Sequence, residues 1–167
     1  MLLRRIAAAI GAAALVGLPA TAAQAEPSEQ DTAFLRAAHQ IHNAEVEQGR
    51  IAWVKTGDAE VKKLAATLMR DHIHLNAALA EAARKLKVRL PDTATAEQTA
   101  LAGRYAAAGK GAIDDLFIDT QLTVSRETGR LVATQLAEGS DPLVRSVAEK
   151  AAAVLAEHQR LLRAAAA

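Results

Sequence analysis

The sequence predicts an all-α domain: a four-helix bundle in which one long connection separates two helical hairpins. Three observations carry that expectation. Alanine leads a composition that is 51% apolar, with 2% aromatic residues and no cysteine, which favours helix and leaves stability to packing alone. Apolar residues recur at alternating three- and four-residue spacings over long stretches, the pattern of a core-facing helical stripe. Gly57, Pro91, Gly109, Gly111, Gly139 and Pro142 punctuate those stretches where one helix should give way to the next.

The 167-residue chain divides into a leader and one domain. Met1-Leu2-Leu3-Arg4-Arg5 is a short basic start, and Ile6 to Leu18 is an apolar stretch too short to span a bilayer comfortably. Pro19 breaks it, and Ala23-Gln24-Ala25 supplies a small-x-small cleavage pattern. Residues 1–25 are therefore expected to be a signal peptide cleaved near Ala25, leaving a periplasmic or secreted domain over 26–167 with its core at about 31–163. No transmembrane segment is expected in the mature form.

Helix one is expected from Asp31 to Lys55, ended by Gly57, with Asp58 capping helix two. Helix two runs to Lys87 on a stripe that includes Val61, Leu64, Leu68, Leu75 and Leu79, and Pro91 ends the stretch. Residues 92–111 form the crossover, with a short helix from Thr95 to Ala108. Helix three spans Ala112 to Glu138 and stops at Gly139; Asp141-Pro142 starts helix four, which reaches Arg163. Two tight hairpins joined by one long crossover are the ferritin-like arrangement of a bundle.

Composition excludes several functions. The leader carries two of the 20 basic residues and none of the 19 acidic ones, so the mature chain has a net charge of −1. That balance does not point to nucleic acid or an anionic membrane, and the scarcity of aromatics removes stacking platforms. Without cysteine there is no thiol chemistry and no zinc–thiolate site.

Each expected stripe is interrupted by one polar residue near its middle. Glu45 lies eleven residues after Phe34, His72 eleven after Val61, Ser125 seven after Ile118, and His158 eleven after Val147. Glu45 and His72 are 12 and 15 residues from Gly57, and Ser125 and His158 are 14 and 19 residues from Gly139. At about 1.5 Å rise per residue the four share one depth to within about two turns. Three readings stay open: a hydrogen-bonded core pair of Glu45 with His72 or His158; a site for one divalent metal ion on Glu45, His72 and His158; or stripes that place these residues in a cleft or in solvent. A carboxylate-bridged di-iron centre does not fit, because Met69 and Leu155 stand where its Glu-x-x-His motifs need glutamate. Ser125 has nothing to supply an oxyanion hole for a nucleophile. His39 and His42 read as a partly exposed helix edge, His74 as solvated, Trp53 as packing at the first hairpin, and Asp114, Asp115 and Asp119 as favourable charge on the first turns of helix three.

Asp31-x-x-Phe34, Glu45 followed by Gly49 and Ala52, and Val61-x-x-x-Ala65-x-x-x-Met69-x-Asp71-His72-x-x-x-Asn76 resemble an exported bacterial family named domain of unknown function 4142. Leu90-Pro91 and His158 fit the same pattern. The resemblance implies a ferritin-like bundle in the periplasm or cell envelope, with functional positions at Glu45, Asp71, His72 and His158 and support from Asn76. Where that family carries an aromatic-Asp pair, a tyrosine, a glutamine and a histidine on the third helix, this chain reads Ile113-Asp114, Phe117, Gln121 and Ser125. The missing histidine removes a ligand. The leading expectation is a non-catalytic or metal-associated envelope bundle. The alternatives are a ferritin-like metal-dependent oxidoreductase and a module that docks on an envelope protein.

Overall fold

The computed structural model describes residues 26–167; the expected signal peptide lies outside the described residues. Five helices and no strand occur among them: α1 Glu29–Lys55, α2 Ala59–Lys85, α3 Ala96–Ala107, α4 Ile113–Glu138 and α5 Pro142–Ala165. The four long helices and the short crossover helix match the expected order. Their ends follow local chemistry. Asp58 Oδ1 accepts from the backbone N–H groups of Glu60 and Val61 at 2.8 and 2.9 Å, and Asp141 Oδ1 accepts from Leu143 and Val144 with Pro142 opening α5. Both satisfy donors that a helix start leaves without partners.

Some termini depart from expectation in position or in what stops the helix. α1 starts at Glu29, because Ser28 caps it and Asp31 closes a capping box back onto the Ser28 N–H at 3.1 Å. α1 ends at Lys55 as expected, but its cap is Thr56 in extended backbone and not Gly57. α2 ends at Lys85, before Pro91 is reached: Lys87 turns left-handed at φ 56°, and the Val88 N–H returns to the Ala83 carbonyl at 2.9 Å. That six-to-one closure is a Schellman ending made without glycine.

α1 packs on α2 and α4, and α5 packs on α4 and α2, so the long helices close a ring; α3 lies against α1 and α4. The start of α1 meets the end of α4 at Asp31, and the end of α2 meets the start of α5 through Leu79, Ala82 and Val144. The chain therefore runs up, down, down, up, and the two parallel neighbours in sequence, α2 and α4, need the long crossover. Apolar packing falls into two clusters. One gathers Phe34, Leu35, Leu75, Leu79, Val132 and Val147. The other gathers Leu64, Leu68, Tyr105, Ile113, Phe117 and Leu162. Between them every long helix presents buried polar side chains.

Asp31 is fully buried and locks the first end of the ring. It accepts from the Ser28 hydroxyl at 2.7 Å, Gln135 Nε2 at 2.6 Å, the Ser140 hydroxyl at 2.9 Å and the Asp141 N–H at 3.0 Å. Burial pushes this carboxyl up, but the hydrogen bonds outweigh it and hold it well below its ordinary range. Gly139 is part of the same lock, since a Cβ there would meet Gln135 Nε2 at 2.0 Å and the Gln135 carbonyl oxygen at 2.5 Å. An Asp31→Asn substitution should lower the unfolding free energy at pH 7 by about 3 kcal/mol. A lowered carboxyl stabilises fully above the unfolded pKa of about 3.9 and loses its effect as pH falls toward the folded value. Urea unfolding of both proteins should therefore show the gap narrowing below about pH 4.

Candidate functional site

The layer between the two apolar clusters is built from His42, Glu45 and Gln48 on α1, His72 on α2, Gln121, Ser125 and Thr128 on α4, and His158 on α5, all buried. They face inward for the same reason as the leucines one or two turns away: each occupies a core position of its helix. His42 Nδ1 and His72 Nδ1 are 2.9 Å apart. Only one of those nitrogens can carry the proton, so the pair cannot be doubly charged. His158 Nε2 is 3.1 Å from Asp71 Oδ2. A carboxylate only accepts, so the proton sits on Nε2 and leaves Nδ1 unprotonated in the neutral ring. Asp71 also accepts from exposed Arg70 at 3.1 Å, which ties the buried imidazole to a surface cation. The rings of His42 and His158 each lie 5.2 Å from that of His72.

No hydrogen bond of 3.5 Å or less reaches the Glu45 carboxyl among the described residues; His72 Nε2 stands 3.8 Å from its Oε2. Burial pushes Glu45 up to about 7, and the neighbouring Gln121 amide only tempers the rise. Burial drives the imidazoles the other way. His42 falls to about 4, helped by the charges of His39 and His158. His72 falls well below 6.5 through burial and repulsion from His42 and His158. His158 is lowered by burial against the pull of Asp71. At neutral pH the layer thus holds neutral imidazoles beside a carboxyl that burial inclines to keep its proton. Glu45, His72, Gln121, Ser125, Thr128 and His158 line an enclosed cavity of about 10 Å³, close to the room needed for one water. The Ser125 hydroxyl faces it without a hydrogen-bond partner among the described residues.

A family model described as domain of unknown function 4142 matches residues 16–165. The chain belongs to that family. A solved structure, a DUF305 fragment from Deinococcus radiodurans, is similar in fold with a TM-score of 0.76 at 10% identity, covering 84% of this chain and 97% of that one. At that identity the likeness shows a shared helical fold alone. Comparison with curated proteins finds no match.

The structure of this member of the 4142 family brings Glu45, His72, Ser125 and His158 to one cavity, with Asp71 attached to it through His158. Asn76 is not among them. It joins His39 and Asn43 in a closed surface triad, with His39 Nδ1 at 2.8 Å from Asn76 Oδ1 and Asn76 Nδ2 donating to Asn43 Oδ1 at 2.8 Å. The expected pairing also changes, because His72 bonds His42 and His158 bonds Asp71, neither of them Glu45. His42 is not a partly exposed edge residue; it is 1% exposed. The signal was Leu35, seven residues earlier on the same flank and itself fully buried, since a helix with neighbours on several sides buries a wider arc than one stripe. Gln48 was likewise hidden, and its contact with Gln121, Gln121 Nε2 to Gln48 Oε1, is a long 3.4 Å. His74 is exposed, as expected. Trp53 is 43% exposed and carries Lys62 Nζ 5.0 Å above its ring, so it covers the hairpin from outside.

Glu45 gives the layer a pH signature. A carboxyl raised from 4.5 to about 7 keeps a proton that the unfolded chain releases, so its stabilisation is lost as pH rises through 7. The lowered imidazoles act oppositely and lose stability below pH 6.5. Glu45→Gln mimics the protonated carboxyl. It should raise unfolding free energy at pH 8 by roughly 2–3 kcal/mol and by much less at pH 5, as read by urea unfolding at both values.

Proposed function

We propose that the mature chain works in the cell envelope after export, as a non-catalytic bundle that binds one divalent transition-metal ion at mid-height. Glu45, His72 and His158 would be the ligands, with Asp71 orienting His158. The observation that carries this reading is the convergence of neutral imidazoles and one carboxyl on a single enclosed cavity. Unprotonated imidazole is the form that binds a metal, and a carboxylate on the far ring nitrogen is the usual partner of a ligating histidine. The donor set suits one ion and not two: Glu45 is the only carboxylate lining the cavity, and α4 contributes Ser125 where a further ligand would stand.

Among the described residues no three His, Asp or Glu side chains are spaced to hold an ion as they stand. Loading therefore requires the proton between His42 and His72 to sit on His72 Nδ1, which leaves His72 Nε2, 3.8 Å from Glu45 Oε2, free as the donor, and requires the donors to close on the ion. An ion bound there supplies the positive charge that an ionised Glu45 otherwise lacks.

Two measurements test the reading. Expressed with its own leader, the chain should appear in the envelope fraction with a mature N-terminus at Glu26; an uncleaved cytosolic product rejects export. Elemental analysis of tag-free protein should find one metal per chain, lost in His72→Ala and in His158→Ala. Metal-free wild type that also fails to take up zinc, cobalt or copper by titration would leave a purely hydrogen-bonded core.

A further inference from the structure

A second cavity lies outside the imidazole layer. α3 crosses α1 and α4 and leaves an open cleft of about 400 Å³, within the size range of small-molecule sites. The crossover is held at both ends of this cleft. Gln40 Nε2 donates to the Thr93 carbonyl at 2.8 Å, and Tyr105, fully buried, is hydrogen-bonded to Thr120. The cleft is therefore preformed rather than a gap under a loose strap.

Its chemistry is lopsided. Ala37, Ile41, Ala44, Leu101 and Val124 make apolar walls, neutral glutamines and threonines stand among them, and no lysine, arginine or histidine among the described residues lines it. Carboxylates stand at two depths. Glu97 and Glu127 are exposed and mark the mouth. Glu45 is 4% exposed, contributes to this cleft as well as to the enclosed cavity, and makes no hydrogen bond of 3.5 Å or less among the described residues. A deep carboxyl that accepts no hydrogen bond of 3.5 Å or less among the described residues, a largely apolar middle and two carboxylates at the rim complement a molecule that is cationic at both ends and aliphatic between them.

We propose that this cleft binds a linear aliphatic diammonium ion, with one ammonium on Glu45, the methylene chain along Ile41, Ala44, Leu101 and Val124, and the other ammonium between Glu97 and Glu127. The proposal does not rest on the metal reading, and its test is run on EDTA-treated protein and repeated on His158→Ala, which removes a proposed metal ligand outside this cleft.

The probes are 1,6-hexanediammonium, hexylammonium, 1,6-hexanediol and adipate, titrated calorimetrically at low salt. The diammonium should bind most tightly, hexylammonium more weakly, and the diol and the dianion weakest. Glu97→Gln with Glu127→Gln, both at exposed positions, should weaken the diammonium by about fivefold or more while leaving hexylammonium unchanged. Salt should erase most of that difference. Equal binding of diol and diammonium, no binding of any amine, or indifference to the Glu97 and Glu127 changes would each overturn the proposal.

Discussion

The constraint on which the rest of the structure depends is that the middle of the bundle must stay uncharged. Four helices bring three imidazoles and one carboxyl into a layer that no lysine or arginine enters. An ion isolated there would face the desolvation of a buried charge without a counter-ion, a penalty of several kcal/mol. The layer meets the constraint by holding protons where they neutralise: one shared by His42 and His72, one on His158 toward Asp71, and one retained on Glu45 past the ordinary carboxyl range. The same layer divides the apolar core, so neither cluster spans the ring from end to end. Close helix approach compensates. At Gly49 an added Cβ would meet Met69 Cγ at 2.5 Å, so α1 and α2 are nearer here than side chains of ordinary size would allow.

The opposite strategy operates at the end of the ring. Asp31 is as closed to solvent as Glu45, yet it is held ionised because groups on four residues donate to it. One carboxyl, surrounded by backbone N–H groups and small hydroxyls, becomes a lock between α1 and the α4–α5 turn. The other, facing imidazoles and a long-range amide, keeps its proton. Both side chains are closed to solvent, but Glu45 lies far deeper in the protein, so depth and the supply of donors together decide the outcome.

What the sequence made legible was whatever depends on near neighbours. Asp58, Asp141 and Pro142 cap helices because their side chains act within three residues, and the helical stripes follow a period that needs no knowledge of the partner helix. The inward turn of Glu45, His72, Ser125 and His158 was readable for the same reason. Their partners were not. His42 pairs with His72 across 30 residues, and His158 with Asp71 across 87, distances over which spacing carries no information. The end of α2 was misplaced because Lys87 adopts a backbone conformation that its residue type disfavours, and Val88 closes the turn by reaching back to Ala83. Asp31 read as a helix start, when three of its four partners come from the far end of the chain.

Ser125 shows how the layer and the crossover are connected. Val124 and Thr128, one residue before it and three after, each line both the enclosed cavity and the cleft beneath α3. The wall between the two spaces is therefore one turn of α4 plus the side chain of Glu45. A histidine at 125 would fill the small cavity and stand beside Glu45 on its inner side. Serine leaves its own hydroxyl unmatched among the described residues and leaves Glu45 with the His72 imidazole at 3.8 Å and the Gln121 amide. As proposed, Glu45 stands between the two sites: it is the carboxylate of the inner donor set and the acidic end of the outer cleft, and the serine beside it leaves it open to both.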